Sequence, residues 1–343
     1  MMANDQLNAG STDGPVLKQP PVLFDRTQEL IKKIDGMLDG DLITYWNNPD
    51  GSVCGNDVMG FYQMLERKGK RNRLYIFLKS NGGNGQASLR IVSLLRMYCQ
   101  ELVALIPLEC ASAATMIALG ADKIVMGPMA YLTAVDTSIT HKLSPLDRDN
   151  NRVSVSLDAL NRVIKLWRDE KDTSEGNPYQ SLFQHIHPLV IGDADRSNSL
   201  SVKLSRDILS FHIEDGATIE KISHALNSWY PSHDYPIIAR EARAVGLNAE
   251  DMDPKIHDLL LDLNEVYSEM GQTAITDFDA NRYHNNEIVN IIETRDLQLY
   301  YQVDKDWQYI TEERRWQGLN DHSSWRRLEL EKGKIRQTRF HIS

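Results

Sequence analysis

Residues 73–127 read RLYIFLKSNGGNGQASLRIVSLLRMYCQELVALIPLECASAATMIALGADKIVMG, and this stretch decides the fold. "LYIFL" (Leu74–Leu78) is a short apolar run bounded by Arg73 and Lys79. Such a run reads as a strand buried on both faces. "SNGGNG" (80–85) is a loop by composition. "QASLRIVSLLRMY" places Ala87, Leu89, Ile91, Val92, Leu94 and Leu95 on one broad apolar face, which predicts a helix. "ELVALIPL" (101–108) is a second buried strand, "SAATMIALG" (112–120) a short apolar helix and "DKIVMG" (122–127) a third strand. Strand–helix–strand–helix–strand requires parallel crossovers, so the chain is α/β with helices expected on both faces of a sheet.

The flanks extend this pattern. Leu30, Ile31, Ile34 and Leu38 have helical spacing in residues 25–40, "DLITYW" (41–46) reads as a strand, and residues 55–70 as a helix. Downstream, residues 143–156 are polar and loop-like. Helices are expected over 156–170, with Ser156 as cap, over 218–227, with Thr218 as cap, over 239–246, ended by Gly246, and over 253–271. After about residue 275 the sequence alternates with period two and is rich in aromatics, which predicts strands. The expected organisation is a disordered tail over 1–22, a main domain over 23–270 and a small β-rich extension over 271–343.

Composition bounds the function. The chain has 343 residues, 41% hydrophobic and 25% charged, as in ordinary globular proteins. A net charge of −10 argues against non-specific nucleic-acid binding. No apolar window is long enough for a membrane span, and the polar N-terminus lacks the basic start and apolar centre of a signal peptide. Cys54, Cys99 and Cys110 have neither metal nor disulfide spacing, which fits a reducing cytoplasm. His185 and His187 in "HIHP" lack a third ligand at suitable spacing, so a helix-end role is expected for them, with no metal and no cofactor. From Arg314 to His341 there are eight Lys or Arg against three Asp or Glu. These charges suit a solvated hairpin or, alternatively, a surface that docks a protein partner.

Two segments carry chemistry. Gly82 and Gly83 follow a buried strand, where they form either a tight turn or a cradle with N–H groups facing a cleft at the carboxyl end of the sheet. No Gly-Lys-Ser/Thr follows, so this is not a Walker loop. Ser112 also follows a buried strand and opens a helix, flanked by Ala111, Ala113 and Ala114. It reads either as a cap serine or as a nucleophile shown on a sharp strand-to-helix turn. The next N–H, that of Ala113, is then a helix N-terminal donor fit to hold an oxyanion. Adjacent parallel strands bring the two segments side by side.

The combination of "LYIFLKSNGGNGQAS", "ALIPLECASAATMIALGADKIVMGPMAYLTAVD" and "PSHDYPIIAREARAVGL" resembles the Clp-protease and crotonase superfamily. Within it the chain is most similar to the serine dehydrogenase proteinase family, related to signal peptide peptidase A, over about residues 25–265. The resemblance implies a ClpP/crotonase-like fold of repeated β-β-α units with a C-terminal helical part, and a serine peptidase acting on a peptide or protein as a homo-oligomer. Ser112 would be the nucleophile, and Gly83 and Ala113 the oxyanion hole. In Clp-type enzymes a His stands about two dozen residues after the nucleophile; here that place falls near Asp136. The place of the usual third residue reads "SHDYP", with His233 and Asp234. The expected triad is therefore Ser112, His233 as base and Asp136 as orienter, in a different chain order, with Asp234 an alternative orienter. A serine–lysine dyad, as in the peptide-peptidase relatives, would need a desolvated Lys142 or Lys165. Other readings remain: an acyl-CoA enzyme of the same superfold, in which the two N–H groups hold a thioester enolate, or an inactive scaffold that docks a partner through the C-terminal extension.

Overall fold

The computed structural model describes residues 15–136, 138–148, 151–170, 177–340 and 342. Of the expected tail, residues 1–14 lie outside the described residues. Residues 15–23 carry neither helix nor strand, and the Lys18 amide donates to Thr276 Oγ1 at 2.8 Å.

The first half alternates strands and helices: α1 (Phe24–Asp35), β1 (Asp41–Asn47), α2 (Asp57–Lys68), β2 (Arg71–Lys79), α3 (Gly85–Tyr98), β3 (Cys99–Ile106), β4 (Glu109–Cys110), α4 (Ala113–Leu119), β5 (Lys123–Met126) and β6 (Tyr131–Leu132). A short ladder, β7 (Ser138–Ile139) with β8 (Val155–Ser156), precedes α5 (Leu157–Glu170), α6 (Pro178–Leu182), α7 (Pro188–Leu209), α8 (Gly216–Ser228) and α9 (Ala239–Val245). β9 (Ala249–Asp251) and α10 (Pro254–Met270) follow. The chain then becomes all-β: β10 (Ala274–Asp279), β11 (Arg282–Thr294), β12 (Leu297–Ile310), β13 (Arg315–Leu319), β14 (Ser324–Glu331) and β15 (Lys334–Phe340).

The α/β architecture expected from the sequence is present. β1, β2, β3, β5 and β9 pair in that order and in parallel, and β11 joins β1 antiparallel, so one sheet runs β15-β14-β12-β11-β1-β2-β3-β5-β9. The C-terminal strands thus continue the central sheet. The parallel strands add one beside the next without reversal. Crossovers of one hand then place α2, α3 and α4 all on the same face, where they bury Ile43, Leu74, Ile76, Ala104 and Ile124. The alternate strand residues Leu42, Phe77, Val103 and Leu105 face the other side, which α1 and α10 cover. Both faces are buried, which is why these strands read as continuous apolar runs.

Helix ends follow local chemistry. Ser156 caps α5, its Oγ accepting from the Ala159 amide at 3.1 Å. The cap of α8 is Asp215, not Thr218 as the sequence suggested. Its carboxylate accepts from both the Ala217 and Thr218 amides, and Thr218 Oγ1 only adds a bond to it. The helix starts at Gly216, which puts Asp215 at the capping position and Thr218 inside the first turn. Gly246 ends α9 as expected.

Glu293 on β11 ties the C-terminal strands to the α1 and α10 layer. It is fully buried and accepts from Thr27 Oγ1 (2.6 Å), Gln28 Nε2 (2.7 Å), Gln298 Nε2 (2.7 Å) and the Tyr267 hydroxyl (2.8 Å). Burial outweighs these four donors and pushes the carboxyl from 4.5 up to about 7. Between those values the folded state holds a proton that the unfolded chain has released, so stability falls as pH rises through that window. A shift of this size corresponds to a loss on the order of 3 kcal/mol. Glu293→Gln should therefore gain stability relative to the parent between pH 5 and pH 8 in denaturant melts. A parent-minus-variant difference that stays flat over this range would refute the assignment.

Candidate active site

The two segments singled out in the sequence lie side by side at the carboxyl ends of β2 and β3. Ser80 and Cys110 form a parallel bridge, with the Ser80 amide donating to Glu109 O (3.2 Å) and the Ala111 amide to Ser80 O (2.9 Å). Gly82 and Gly83 have φ of 104° and 145°, which side-chain-bearing residues rarely adopt. They serve different neighbours. A Cβ on Gly82 would lie 2.6 Å from Ser112 Cβ and 2.8 Å from Ala111 O; one on Gly83 would lie 2.4 Å from Val53 O. Val53 clamps the glycine loop as a strand would. Its amide donates to Gly82 O and its carbonyl accepts from the Asn84 amide, both at 2.8 Å. Asn84 then caps α3.

Ser112 has φ 52° and ψ −119°. A non-glycine residue held there costs about 1–3 kcal/mol, which surrounding structure must offset. It occupies the position before α4, but its side chain makes no capping hydrogen bond. The Ser112 amide donates to Thr133 Oγ1 at 2.8 Å. The Thr133 amide in turn donates to Thr115 Oγ1 (3.2 Å), whose hydroxyl donates to Cys110 O (2.7 Å). The Gly83 and Ala113 amides have no hydrogen-bond partner among the described residues. Ser112 is half-buried and lines a cavity of about 210 Å³ together with Gly83, Ala113, Met116, Val135 and Leu204. Cys110 is fully buried, and burial drives its thiol far above the ordinary range, which leaves Ser112 as the nucleophile candidate at this turn.

His233 and Asp136 are brought together across 97 residues of chain: Nδ1 of the imidazole lies 2.9 Å from Asp136 Oδ1. A carboxylate only accepts, so Nδ1 carries the donated proton and Nε2 is left as the basic nitrogen. The bond to Asp136 raises the His233 pKa above 6.5. The charges of Asp136 and Asp234 add to it, and partial burial opposes it. Leu132 and Ile237 exchange amide–carbonyl bonds of 3.0 and 2.8 Å, which fastens the segment bearing His233 to the one bearing Asp136.

The other sequence candidates make no hydrogen bond to Ser112 or His233 among the described residues. Asp234 is exposed and its amide donates to Ser232 Oγ. Lys142 and Lys165 are both exposed, the first in a turn and the second on α5. His187 caps α7, its Nδ1 accepting from the Leu189 amide at 3.2 Å, and His185 is exposed. Among the described residues no cluster of His, Cys, Asp or Glu is arranged to hold a metal ion, and no helix is long and apolar enough to cross a membrane. A larger cleft of about 550 Å³ lies at the ends of β5 and β9 and includes none of Ser112, His233 or Asp136. Sequence reading missed Thr133, Thr115 and Val53. The one available signal was two threonines in apolar surroundings, where a buried hydroxyl needs a partner.

No protein-family model matches the chain. Over 196 residues it is 23% identical to an uncharacterized protein of Methanocaldococcus jannaschii, covering 57% of this chain and 58% of that protein. The chain therefore spans less than two thirds of that relative's length. Among solved structures it is similar to a mutant of the 1510-N membrane-bound stomatin-specific protease, with 13% identity, 68% of this chain, 84% of that chain and a TM-score of 0.39. It is also similar to the ClpP protease catalytic domain from Plasmodium falciparum, with 14% identity, 68% of this chain, 94% of that chain and a TM-score of 0.37. Likenesses this distant carry no functional weight by themselves.

The glycine loop gives a direct test of this geometry. Gly82→Ala should destabilise the protein by about 2 kcal/mol or more in urea melts, through both the positive φ and the collision with Ser112. Gly216→Ala, where an added Cβ meets nothing within 4 Å, should be neutral. Equal effects at the two positions would contradict the close approach of the two turns.

Proposed function

We propose that this chain is a serine peptidase that works through an acyl-enzyme on Ser112. The observation that carries the reading is the Ser112 backbone: a strained positive-φ residue on a strand-to-helix turn, half-exposed, beside Ala113 and Gly83 amides that have no partner among the described residues. Strain of this kind clusters at functional sites, and this turn matches the physics of a nucleophile elbow. The glycine loop, the alanine-flanked serine and the segments around Asp136 and His233 are the same pieces that carry the sequence resemblance to Clp-type proteases.

The chemistry follows from the groups present. Ser112 Oγ adds to the carbonyl carbon of the scissile peptide bond while His233 Nε2 takes its proton. The carbonyl oxygen becomes an oxyanion, which the Ala113 and Gly83 N–H groups receive. The imidazolium, held by Asp136, gives its proton to the leaving amine as the C–N bond breaks. Water then attacks the ester by the same route and restores Ser112. Solvation of Lys142 and Lys165 disfavours the lysine alternative, because a lysine base must be desolvated to lose its proton near neutral pH.

A fluorophosphonate probe tests the assignment. Labelling should vanish in Ser112→Ala and fall by about a hundredfold or more in His233→Ala. The labelling rate should rise with pH, because only neutral imidazole accepts the proton, and its midpoint should lie above 6.5. Asp136→Asn should move that midpoint down and slow the reaction. Undiminished labelling of Ser112→Ala would sink the reading.

A further inference from the structure

Thr133 accepts from the Ser112 amide and lies three residues before Asp136 in the chain. Its hydroxyl donates to Ala134 O at 3.0 Å, so the proton is committed and a lone pair is turned to the Ser112 amide at 2.8 Å. Thr133 is 2% exposed and Thr115 fully buried, so both bonds are shielded from bulk solvent. The location explains why a side chain does this work. β4 and β6 pair in parallel, Glu109 with Tyr131 and Cys110 with Leu132. Just beyond, the chain turns away into α4, and main-chain pairing with residue 133 ends. The threonine hydroxyl replaces the missing carbonyl and continues the pairing by one residue into the turn.

The same segment then runs to the other half of the site. The Val135 amide donates to Leu226 O at 2.9 Å and Ser201 Oγ donates to Val135 O at 2.5 Å, and the next residue is Asp136, the partner of His233. One short segment thus contacts the backbone of the proposed nucleophile and carries the group that orients the proposed base.

We propose that Thr133 is a positioning residue. It holds Ser112 in its positive-φ conformation and sets that turn in register with the segment bearing Asp136. The kinetic consequence rests on Ser112 being the nucleophile; the conformational one does not.

Crystal structures and fluorophosphonate labelling kinetics of Thr133→Val and Thr133→Ser separate the two. Thr133→Val keeps the shape and removes the acceptor. Ser112 should relax to negative φ, and the maximal labelling rate should fall about tenfold, with the probe concentration for half-maximal rate little changed. Thr133→Ser restores the hydroxyl and should restore both. Should the valine variant fail to fold, Thr133→Cys, with similar volume and a weaker acceptor, should show the same changes in smaller degree. A valine variant with Ser112 still at positive φ and labelling at the parent rate overturns the proposal. So does a serine variant no better than valine, which would mark a purely structural role. If Ser112 relaxes in Thr133→Val while the parent protein is never labelled, the positioning role stands and the nucleophile reading falls.

Discussion

The approach of Gly82 to Ser112 is the constraint on which the site depends. With an absent Cβ that would otherwise sit 2.6 Å from Ser112 Cβ, no residue but glycine lets the two turns meet. Each turn is braced from behind. Val53 holds the glycine loop through two main-chain bonds, and the Val53 segment is itself held by β11. Asn290 Nδ2 donates to Ser52 O at 2.9 Å and to Asp57 Oδ1 at 3.0 Å, while Asp57 accepts from the Cys54 amide and the Tyr45 hydroxyl. Asp57 is fully buried, and burial raises its pKa against these donors. The C-terminal strands are therefore two contacts away from the glycine loop and three from the serine turn, although they lie some two hundred residues away in the chain.

What was legible in the sequence was whatever local pattern determines. Continuous apolar runs marked β2 and β3, and small residues marked the turns that follow them. Side-by-side placement of "SNGGNG" and "CASA" followed from parallel neighbours. Asp136 and His233 were singled out because they stand where the resembled Clp-type enzymes carry the partners of the nucleophile, and the two side chains do meet at 2.9 Å. What stayed hidden was long-range: the pairing of β11 with β1, the clamp by Val53, the brace by Thr133. None of these leaves a periodic signal, because each depends on which strand comes to lie beside which. The cap of α8 was missed for a smaller reason: Asp215 and Thr218 are both good cap residues, and only the helix start decides between them.

Topology also explains where the site lies. In doubly wound sheets a crevice opens where strand order reverses. Here β1, β2, β3, β5 and β9 add in one direction and their crossovers share one face, so no reversal opens a crevice. The opening comes instead from the turns that leave the strand ends. Two positive-φ turns, at Gly82–Gly83 and at Ser112, swing the chain away from the sheet, and α7 supplies Leu200 and Leu204 to the far wall of the cavity. An α/β sheet without a switch point can thus still present a cleft at its carboxyl edge, provided that its turns tolerate the strain.

In the proposed mechanism, the oxyanion hole is limited to the amides that the two turns leave free. The Ser112 amide is taken by Thr133, so the nucleophile's own N–H is not available. In the glycine loop, the Gly82 amide donates to Ser80 Oγ at 3.1 Å and the Asn84 amide to Val53 O, leaving the Gly83 amide between them without a partner among the described residues. At the start of α4 the Ala114 amide donates to Ala111 O, again leaving the preceding amide, that of Ala113, without a partner among the described residues. Each turn commits the amides around one free donor and withholds that one. Gly83 is exposed, and Gly83 and Ala113 line the same cavity as Ser112, so in the proposed mechanism an incoming carbonyl oxygen takes the place of solvent at these two amides.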